Sequence, residues 1–321
     1  MKVLVIGAAG MLGHQIVRKL TDDFTVFTTV RGSRERYRQA GIALPEDTFH
    51  GVNALCDDHV DSVLRACTPD VVINCVGLVK QRKDAASPIP SIEINALLPH
   101  KLNAMCQQAG ARFIHFSTDC VFSGRTGMYP DHAPHDASDM YGRSKSLGEV
   151  DGPGSLTLRT SLIGPELENK LGLVEWFLAQ RGAIRGFTRV VFSGLTTFAT
   201  CRVVADLLQR HPNAEGVYNL AAAPISKHDL LCMLRDALGL PVEITPTDEP
   251  DCNRSLDGSR FREHFGWTPP TWPEMVDELA RELHARGTTA SRCPCQPTPQ
   301  HPQPAHKEYP CISNLNRADG S

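Results

Sequence analysis

The sequence predicts an α/β fold in which a doubly wound parallel sheet is followed by a smaller C-terminal lobe. Over the first 165 residues, short apolar runs alternate with segments of helical periodicity. This alternation is typical of right-handed βαβ units. The first apolar run, Val3 to Ile6, leads directly into a turn with three glycines. Beyond residue 165 the alternation becomes less regular, which indicates a separate lobe.

The bulk composition narrows the class of protein. The chain has 321 residues, of which 41% are hydrophobic and 21% charged, and its net charge is -3. These values are typical of a globular protein and favour neither nucleic acid nor a membrane as a partner. No apolar run approaches the roughly 18 residues of a membrane span, and the N-terminal segment is too short for a signal peptide. Most of the 11 cysteines stand singly inside apolar runs, so we expect a cytoplasmic protein with reduced thiols.

The elements of the first part follow from their apolar patterns. Runs that are apolar throughout predict strands buried on both faces, and periodic segments predict helices. Gly110 is expected to end a long helix. The predicted strands are 3–6, 24–30, 71–76, 112–117 and 155–159, and the predicted helices are 11–20, 57–67, 92–109 and one that starts near Tyr141.

The second part is expected to complete the sheet and to build the lobe. Ser226 predicts an N-cap, Gly239 a helix end and Pro273 a first helical turn. The predicted helices are 173–181, 201–210, 227–238 and 273–286, with a strand at 216–220. We expect a core at 1–165, completed by segments within 190–225, and a lobe at 166–286 that covers the carboxyl ends of the strands.

The C-terminal segment 287–321 is predicted to be a disordered tail. It is rich in proline and polar residues and has too few large apolar side chains to offset the entropy of ordering. Its cysteines and histidines match no zinc-binding spacing, so we predict no metal site. These residues are Cys293, Cys295, Cys311, His301 and His306.

The turn after the first strand contains Gly7, Gly10 and Gly13 in G-x-x-G-x-x-G spacing. Gly7 would allow the tight turn, Gly10 would let backbone N–H groups approach a pyrophosphate, and Gly13 would permit close packing of helix and strand. A tight turn without a ligand is the alternative. The strand and helix on either side favour a Rossmann-type dinucleotide site, in which we expect Met11 and Leu12 to contact the cofactor.

The residues after the second strand indicate which nicotinamide cofactor fits. An acidic side chain at this place would bond the ribose 2′-hydroxyl of NAD, but the chain has Arg31, Ser33 and Arg34. These side chains are able to bind a 2′-phosphate through charge-assisted hydrogen bonds. The segment therefore favours NADP(H), with NAD(H) as the second choice. A solvated basic loop is the alternative.

Tyr141 and Lys145 form the most informative pair in the chain. They are four residues apart, so a helix would place them on one face. A lysine beside a tyrosine lowers the pKa of the hydroxyl and enables it to exchange a proton near neutral pH. Thr118 stands upstream at the end of the strand predicted at 112–117. The three residues together predict a hydride-transfer site rather than a chance pair.

Two segments carry a resemblance to a known family. Phe116-Ser-Thr-Asp-Cys-Val-Phe-Ser-Gly124 and Tyr141-Gly-Arg-Ser-Lys145-Ser-Leu-Gly-Glu149 resemble the extended short-chain dehydrogenase/reductase superfamily. Within it, the chain is most similar to the dTDP-4-dehydrorhamnose reductase-like branch. The resemblance covers about residues 1 to 285 and is strongest in the first 165.

The resemblance implies a role for each catalytic residue. Tyr141 would donate the proton that completes reduction of a carbonyl group. Lys145 would hold the nicotinamide ribose and lower the pKa of the tyrosine. Thr118 would hydrogen-bond the substrate oxygen. Arg143, which stands between Tyr141 and Lys145, is expected to face solvent.

The resemblance also implies further cofactor contacts. Cys75, Val76 and Gly77 lie at the end of the predicted strand 71–76, beside the expected cofactor. Asn53 occupies a place where the family often has an aspartate facing the adenine, and its carbonyl oxygen is still an acceptor. Asn95 stands where the superfamily has a supporting asparagine. A purely structural role, in which Asn95 bridges backbone groups, is the alternative.

Lys80, Asp119, Cys120 and Trp176 are the candidate substrate contacts. Lys80 would reach a substrate phosphate together with Arg82, or both would form a basic surface. Trp176 would stack on a base or sugar, or pack in the core. Cys120 replaces an aromatic residue of sugar-nucleotide reductases and would act as an acid or base, or only pack. No glutamate follows Asp119, which argues against dehydratase chemistry.

These observations predict an NAD(P)H-dependent reductase of a nucleotide-linked keto sugar, with a homodimer as an open option. One alternative is an NDP-sugar epimerase, which would retain NAD through purification and consume no NADPH. An alternative of another class is a non-catalytic regulatory subunit, like that of methionine adenosyltransferase, which resembles the same branch. The presence of Thr118, Tyr141 and Lys145 argues against this last reading.

Overall fold

The structure, a computed structural model, describes residues 1–80, 86–168 and 170–287. Arg82 and the predicted tail beyond Gly287, with its cysteines and histidines, lie outside these ranges. The strands are β1 (Lys2–Ile6), β2 (Thr25–Val30), β3 (Thr48–His50), β4 (Val71–Asn74), β5 (Arg112–Ser117), β6 (Ser155–Arg159), β7 (Leu162–Ile163), β8 (Gly182–Phe187), β9 (Val190–Phe192), β10 (Leu195–Thr196), β11 (Gly216–Asn219), β12 (Ile225–Ser226), β13 (Val242–Thr247) and β14 (Cys252–Asn253).

The helices alternate with the strands of the first part and are separated by mostly shorter strands in the second. A π-helix, Ile92–Leu97, joins α4 to α5, and a 3₁₀ turn, Asp119–Val121, follows β5. Within the described ranges, no helix combines the length and the apolar character needed to cross a membrane. The α-helices are α1 (Gly13–Leu20), α2 (Arg34–Gln39), α3 (Asp57–Cys67), α4 (Pro88–Ser91), α5 (Leu98–Ala109), α6 (Met140–Leu147), α7 (Leu173–Leu178), α8 (Thr197–Arg210), α9 (Lys227–Leu238), α10 (Ser259–Phe265) and α11 (Trp272–Ala285).

The central sheet has seven strands in the order β11-β6-β5-β4-β1-β2-β3. Every pairing within it is parallel. The strand order reverses between β1 and β4, and ligands of open α/β sheets bind at such a switch point, outside the carboxyl ends of the strands. The predicted doubly wound, Rossmann-type sheet is therefore confirmed.

The sheet separates two apolar cores, and β1 contributes to both. Val3 and Val5 face the core that contains α1 and α8, whereas Leu4 and Ile6 face the core that contains α3 and α5. Successive side chains of a strand point to opposite faces, so a strand covered on both sides must be apolar throughout. This explains the uninterrupted apolar run at the start of the chain.

The residues after β6 supply the last strand of the sheet and a set of smaller sheets. β11 pairs with β6, and α8 packs beside α1. Smaller sheets join β8 to β13, β7 to β10, and β9 to β12 and β14. Ser226 caps α9 by accepting the Asp229 N–H, and Gly239 ends that helix at φ 61°, as the sequence predicts.

Differences from the predicted elements have local causes. β4 ends at Asn74 because the Asn74 side chain accepts the Val76 N–H at 3.0 Å and turns the chain. α7 ends at Leu178 because the chain soon enters β8. The helix predicted at 92–109 begins as a π-helix. The sequence pattern did not predict α2, α4, α10, β3 or most of the short strands of the second part.

Two glycines allow α6 to pack directly against neighbouring backbone. A Cβ atom at Gly148 would lie 1.8 Å from the Asn95 backbone oxygen, and one at Gly142 would lie 2.2 Å from the Cys120 backbone oxygen. Neither distance is compatible with a side chain unless the backbone moves. α6, which carries Tyr141 and Lys145, is therefore fixed against the π-helix and the turn after β5.

We expect Gly148→Ala to lower the free energy of unfolding by at least about 3 kcal/mol, because the added methyl group would overlap backbone atoms of the π-helix. Gly77→Ala is the matched control, since the nearest atom to a Cβ there, Asn95 Oδ1, is 3.7 Å away; its effect should stay below about 1 kcal/mol. Urea unfolding followed by circular dichroism measures both. Equal stability of the two variants would contradict the proposed seating of α6.

Candidate active site

A cleft of about 390 Å³ runs along the carboxyl ends of the sheet strands. The glycine turn, the loops after β4, β5 and β6, and α6 form one wall. The opposite wall comes from residues between 166 and 254, which include Trp176, Arg185, Phe187, Lys227 and Arg254. The cleft is therefore shared between the sheet and the second part of the chain, the usual place for a ligand in such folds.

The glycine turn has the geometry of a phosphate cradle. Gly7 has φ 88°, and a Cβ at Gly13 would lie 2.3 Å from the Gly7 oxygen. Gly10 donates its N–H to the Gly7 oxygen at 3.1 Å and lines the cleft with Met11 and Leu12. Side chains at Gly7 and Gly13 would clash with Val76 and with the Gly7 backbone. The two glycines therefore permit the tight turn and the close helix packing that a dinucleotide pyrophosphate site at the start of α1 requires.

The loop after β4 is held in the cleft wall by Asn95. Cys75, Val76 and Gly77 line the cleft. The Asn95 side chain accepts the Leu78 N–H at 2.8 Å and donates to the Leu78 oxygen at 3.0 Å. The same amide donates to Ser144 Oγ of α6 at 3.3 Å. Asn95 thus bridges backbone groups, and the loop that it holds lines the cleft.

Thr118 lies where β5 passes into the 3₁₀ turn. Its hydroxyl accepts the Cys120 N–H at 3.2 Å and donates to Asp119 Oδ1 at 3.1 Å. Both Thr118 and Asp119 are buried, and all three residues line the cleft. The turn thereby holds the threonine hydroxyl in one orientation at the cleft wall.

Tyr141 lies at the first turn of α6 and faces the same part of the cleft. Asp139 caps this helix by accepting the Gly142 N–H at 2.8 Å and forms an ion pair with Lys80, also at 2.8 Å. Burial is the largest cause that raises the pKa of the Tyr141 hydroxyl. The Cys120 thiol and the Asp119 and Asp139 carboxylates raise this pKa further, whereas Thr118 lowers it. Tyr141 is therefore protonated at neutral pH in this structure.

Lys145 is buried and lines the same cleft as Tyr141. Nζ donates to the Phe116 oxygen at 2.7 Å and lies 3.3 Å from His115 Nε2. Burial lowers the pKa of the Lys145 ammonium to about 8, although the Glu149 carboxylate raises it. The expectation that Lys145 brings the tyrosine pKa toward neutrality is not met in this arrangement, because burial of Tyr141 dominates.

A buried ion pair connects the base of α6 to the sheet. Arg159 donates to both carboxylate oxygens of Glu149 at 2.7 Å, and Ser117 Oγ donates to the same carboxylate at 2.6 Å. Ser117 precedes Thr118, and Glu149 follows Lys145 by one helical turn. The pair therefore ties together the two segments that carry the catalytic candidates.

The residues predicted to discriminate NADP(H) from NAD(H) are not part of the cleft lining. Arg31 and Arg34 are exposed near the carboxyl end of β2. Ser33 caps α2 by accepting the Arg36 N–H at 3.3 Å. Arg36, which the sequence analysis missed, pairs with Glu168 at 2.5 Å. These cations surround the edge at which an adenosine 2′-phosphate would lie.

Asn53 is also exposed and lies outside the cleft lining. Its side-chain oxygen accepts the Leu55 N–H at 3.2 Å, and its backbone N–H donates to His59 Nδ1 at 3.2 Å. Asn53 therefore stabilises its own loop. A hydrogen bond from adenine would have to share the Asn53 side-chain oxygen with the Leu55 N–H.

The opposite wall is basic and aromatic. Lys227 Nζ lies 3.7 Å from the centre of the Phe192 ring, and Arg254 donates to the Phe122 oxygen at 2.9 Å. Trp176 is half-buried, lines the cleft and packs against the core, so both of its expected roles are compatible with its position. Lys227, the first residue of α9, and Arg254, which follows β14, were not predicted because no sequence motif marks them as cleft residues.

A Rossmann-type sheet, a glycine cradle and a Thr118–Tyr141–Lys145 set at one cleft define a protein of the extended short-chain dehydrogenase/reductase class. The chain belongs to the RmlD substrate binding domain family, whose model matches residues 1–285. This finding confirms the family resemblance on which the sequence analysis relied.

Known proteins similar to this chain fall into two groups. Methionine adenosyltransferase 2 subunit beta of Danio rerio is 25% identical over 265 residues, which cover 78% of each chain. The dTDP-4-dehydrorhamnose reductase of Bacillus anthracis, solved in complex with NADP, has a TM-score of 0.73 at 18% identity and covers 88% of this chain and 99% of that chain. The Bordetella bronchiseptica enzyme WbmG, solved in complex with NAD, has a TM-score of 0.72 at 19% identity and covers 90% of this chain and 95% of that chain. At these identities the solved structures show the fold.

We expect Arg31→Ala/Arg34→Ala to weaken NADPH binding roughly tenfold or more, because charge-assisted hydrogen bonds to a 2′-phosphate would be lost. NADH binding should change little. Nicotinamide fluorescence titration measures both affinities. Arg65→Ala/Arg181→Ala removes two exposed arginines elsewhere and controls for net charge. Equal weakening of NADH and NADPH, or no weakening of either, would contradict the 2′-phosphate assignment.

Proposed function

We propose that this protein is an NAD(P)H-dependent reductase of a nucleotide-linked keto sugar. One observation carries the proposal: Thr118, Tyr141 and Lys145 line the same cleft, to which the glycine turn also contributes. A carbonyl oxygen between the Thr118 and Tyr141 hydroxyls would lie close to a nicotinamide in the same cleft. A reduced nicotinamide would supply the hydride when bound.

The side chains of the cleft supply the proton and hold the carbonyl. Tyr141 carries its proton at neutral pH because burial raises the pKa of its hydroxyl, so it acts as a general acid toward the developing alkoxide. Thr118 is oriented by the Cys120 N–H and by Asp119 and polarises the same oxygen. Lys145, held by the Phe116 oxygen, points its remaining N–H toward the cofactor ribose.

The substrate class is inferred from the opposite wall. Lys80, Arg185, Lys227 and Arg254 line the cleft, and such cations suit the charges of a nucleoside diphosphate. Trp176 and Phe187 offer aromatic surface to a base or sugar. The absence of a glutamate after Asp119 favours reduction over dehydration. The reductase whose fold the chain shares supports the same class.

NADP(H) remains the preferred cofactor in this proposal. The exposed cations Arg31 and Arg34, with Arg36 beside them, support a 2′-phosphate. The solved relatives include one protein in complex with NADP and one in complex with NAD, so the fold accommodates either. An epimerase that retains NAD is distinguished from a reductase by NADPH oxidation in excess of enzyme.

A regulatory subunit is the second candidate, favoured by the likeness to methionine adenosyltransferase 2 subunit beta. Such a protein would bind a nicotinamide cofactor without turning it over. The presence of Thr118, Tyr141 and Lys145 in one cleft supports the enzyme, since binding alone does not require all three. Co-purification with a methionine adenosyltransferase catalytic subunit and no ketone reduction would favour the regulatory role.

We expect Tyr141→Phe to lower kcat for NADPH-dependent reduction about a hundredfold to ten-thousandfold, the usual contribution of a positioned general acid. NADPH affinity should stay the same, because the lost hydroxyl contributes only to chemistry. A panel of NDP-4-keto-6-deoxy sugars, followed by NADPH absorbance, supplies the assay. Arg143→Gln is the control, since Arg143 is on the same helix but faces solvent. Full activity of Tyr141→Phe would rule out the proposed mechanism.

A further inference from the structure

A buried polar chain links two sheet strands to Lys145. Asn74 ends β4 and lies beside His115 of β5 in the sheet register. Asn74 Nδ2 is 3.2 Å from His115 Nδ1, and His115 Nε2 is 3.3 Å from Lys145 Nζ. Relative exposure is 0% for Asn74, 1% for His115 and 6% for Lys145. Buried polar groups of this kind must satisfy one another.

The backbone fixes the direction of the hydrogen bonds along this chain. Asn74 Oδ1 accepts the Val76 N–H at 3.0 Å, so the other end of the amide, the NH₂ group, faces His115. His115 Nδ1 must then be an acceptor. A neutral imidazole whose Nδ1 accepts carries its proton on Nε2. Burial and the neighbouring Lys145 and His100 lower the pKa of His115 well below its usual value, in agreement with a neutral ring.

This tautomer presents an N–H donor to Lys145. An ammonium has donors only, so a charged Lys145 would place two donors against each other. An uncharged amine has a lone pair that accepts the Nε2–H. One of its two N–H groups then donates to the Phe116 oxygen at 2.7 Å, and the other faces the cleft. Every polar atom of the chain is satisfied only when Lys145 is uncharged.

We propose that His115 is a positioning residue that stabilises Lys145 as an uncharged amine through its Nε2–H. For turnover the inference rests on the proposed function. Below its pKa of about 8, Lys145 carries an additional proton taken from solvent. After Tyr141 has given its proton to the substrate oxygen, this ammonium gives the additional proton to the Tyr141 oxygen: an Nζ–H bond breaks, an O–H bond forms on Tyr141, and no electrons are transferred. The lone pair left on Nζ then accepts the His115 N–H.

The surroundings of Lys145 both raise and lower the pKa of its ammonium group. The Glu149 carboxylate raises the pKa of Lys145, whereas burial lowers it to about 8. His100 opposes protonation of His115. The titratable groups around the pair, from each element packed against it, are Tyr141 on α6, Glu149 just after α6, His100 on α5, Cys75 after β4, and Asp119 and Cys120 after β5.

Trace acetylation of the full chain with acetic anhydride tests the inference without substrate. The rate at which Lys145 reacts, measured by mass spectrometry of its peptide from about pH 6 to about pH 11, follows the fraction of uncharged amine. The wild-type midpoint should lie near pH 8. His115→Phe keeps a ring on Phe113, with which His115 stacks at 6.1 Å, but removes the donor. Its midpoint should rise by on the order of one pH unit, the size of one hydrogen bond.

Two further variants keep the test decisive. His115→Met also removes the donor. It is used in place of His115→Phe if the circular dichroism spectrum of His115→Phe differs from that of the wild type. His115→Gln restores an amide N–H and should return the midpoint to the wild-type value. An unchanged or lower midpoint in the donorless variant, or a glutamine variant that shifts as far as that variant, would overturn the inference.

A kinetic measurement separates this inference from the proposed function. In the wild type, the alkaline limb of kcat/KM for NADPH oxidation should follow the acetylation midpoint, and both should move together in the donorless variant. A titration that shifts without any shift of the kinetic limb would overturn the role in turnover. Should Tyr141→Phe remain fully active, the proposed function fails while the titration of Lys145 still tests the role of His115.

Discussion

The site depends on the contact between α6 and the backbone around it. Gly142 and Gly148 bring that helix so close to the turn after β5 and to the π-helix that a methyl group at either place would overlap a carbonyl oxygen. Tyr141 precedes the first glycine and Lys145 lies between the two. Because protein interiors are close-packed, the helix cannot slide without breaking both contacts. The positions of the tyrosine and the lysine relative to Thr118 follow from this seating.

The Glu149–Arg159 ion pair and the hydrogen bonds of Asn95 also hold α6 in this position. The Glu149–Arg159 pair is buried, with side-chain exposures of 7% and 6%. Breaking a buried pair leaves an uncompensated charge, whereas forming it contributes little net stability. The ion pair therefore fixes how these elements are aligned rather than adding much stability. Ser117, Arg159 and Glu149 can form their hydrogen bonds in only one alignment of β5, β6 and α6. Asn95 acts in the same way on the other side, since it bonds both the loop after β4 and Ser144.

Much of the sheet and of one cleft wall was predictable from sequence. β5 and β6 were predicted with the bounds that the structure has, because apolar residues recur within each short run between polar ends. The glycine turn was predictable because tight turns and close backbone approach require glycine. The π-helix was not, since its pattern differs little from that of an α-helix. Arg185, Lys227 and Arg254 were missed because tertiary folding brings them to the cleft from elements far apart in the sequence. The raised pKa of Tyr141 was also missed, because burial is a property of the folded state.

The central claim is that hydride transfer takes place at this cleft. The most direct measurement is a single-turnover reaction with NADPH deuterated at the carbon that delivers hydride, offered a panel of NDP-4-keto-6-deoxy sugars. We predict that mass spectrometry will find deuterium on the former carbonyl carbon of one sugar, and that Tyr141→Phe will slow its appearance. Tight NADPH binding with no deuterium in any sugar of the panel would contradict the account and favour a protein that binds the cofactor without using it.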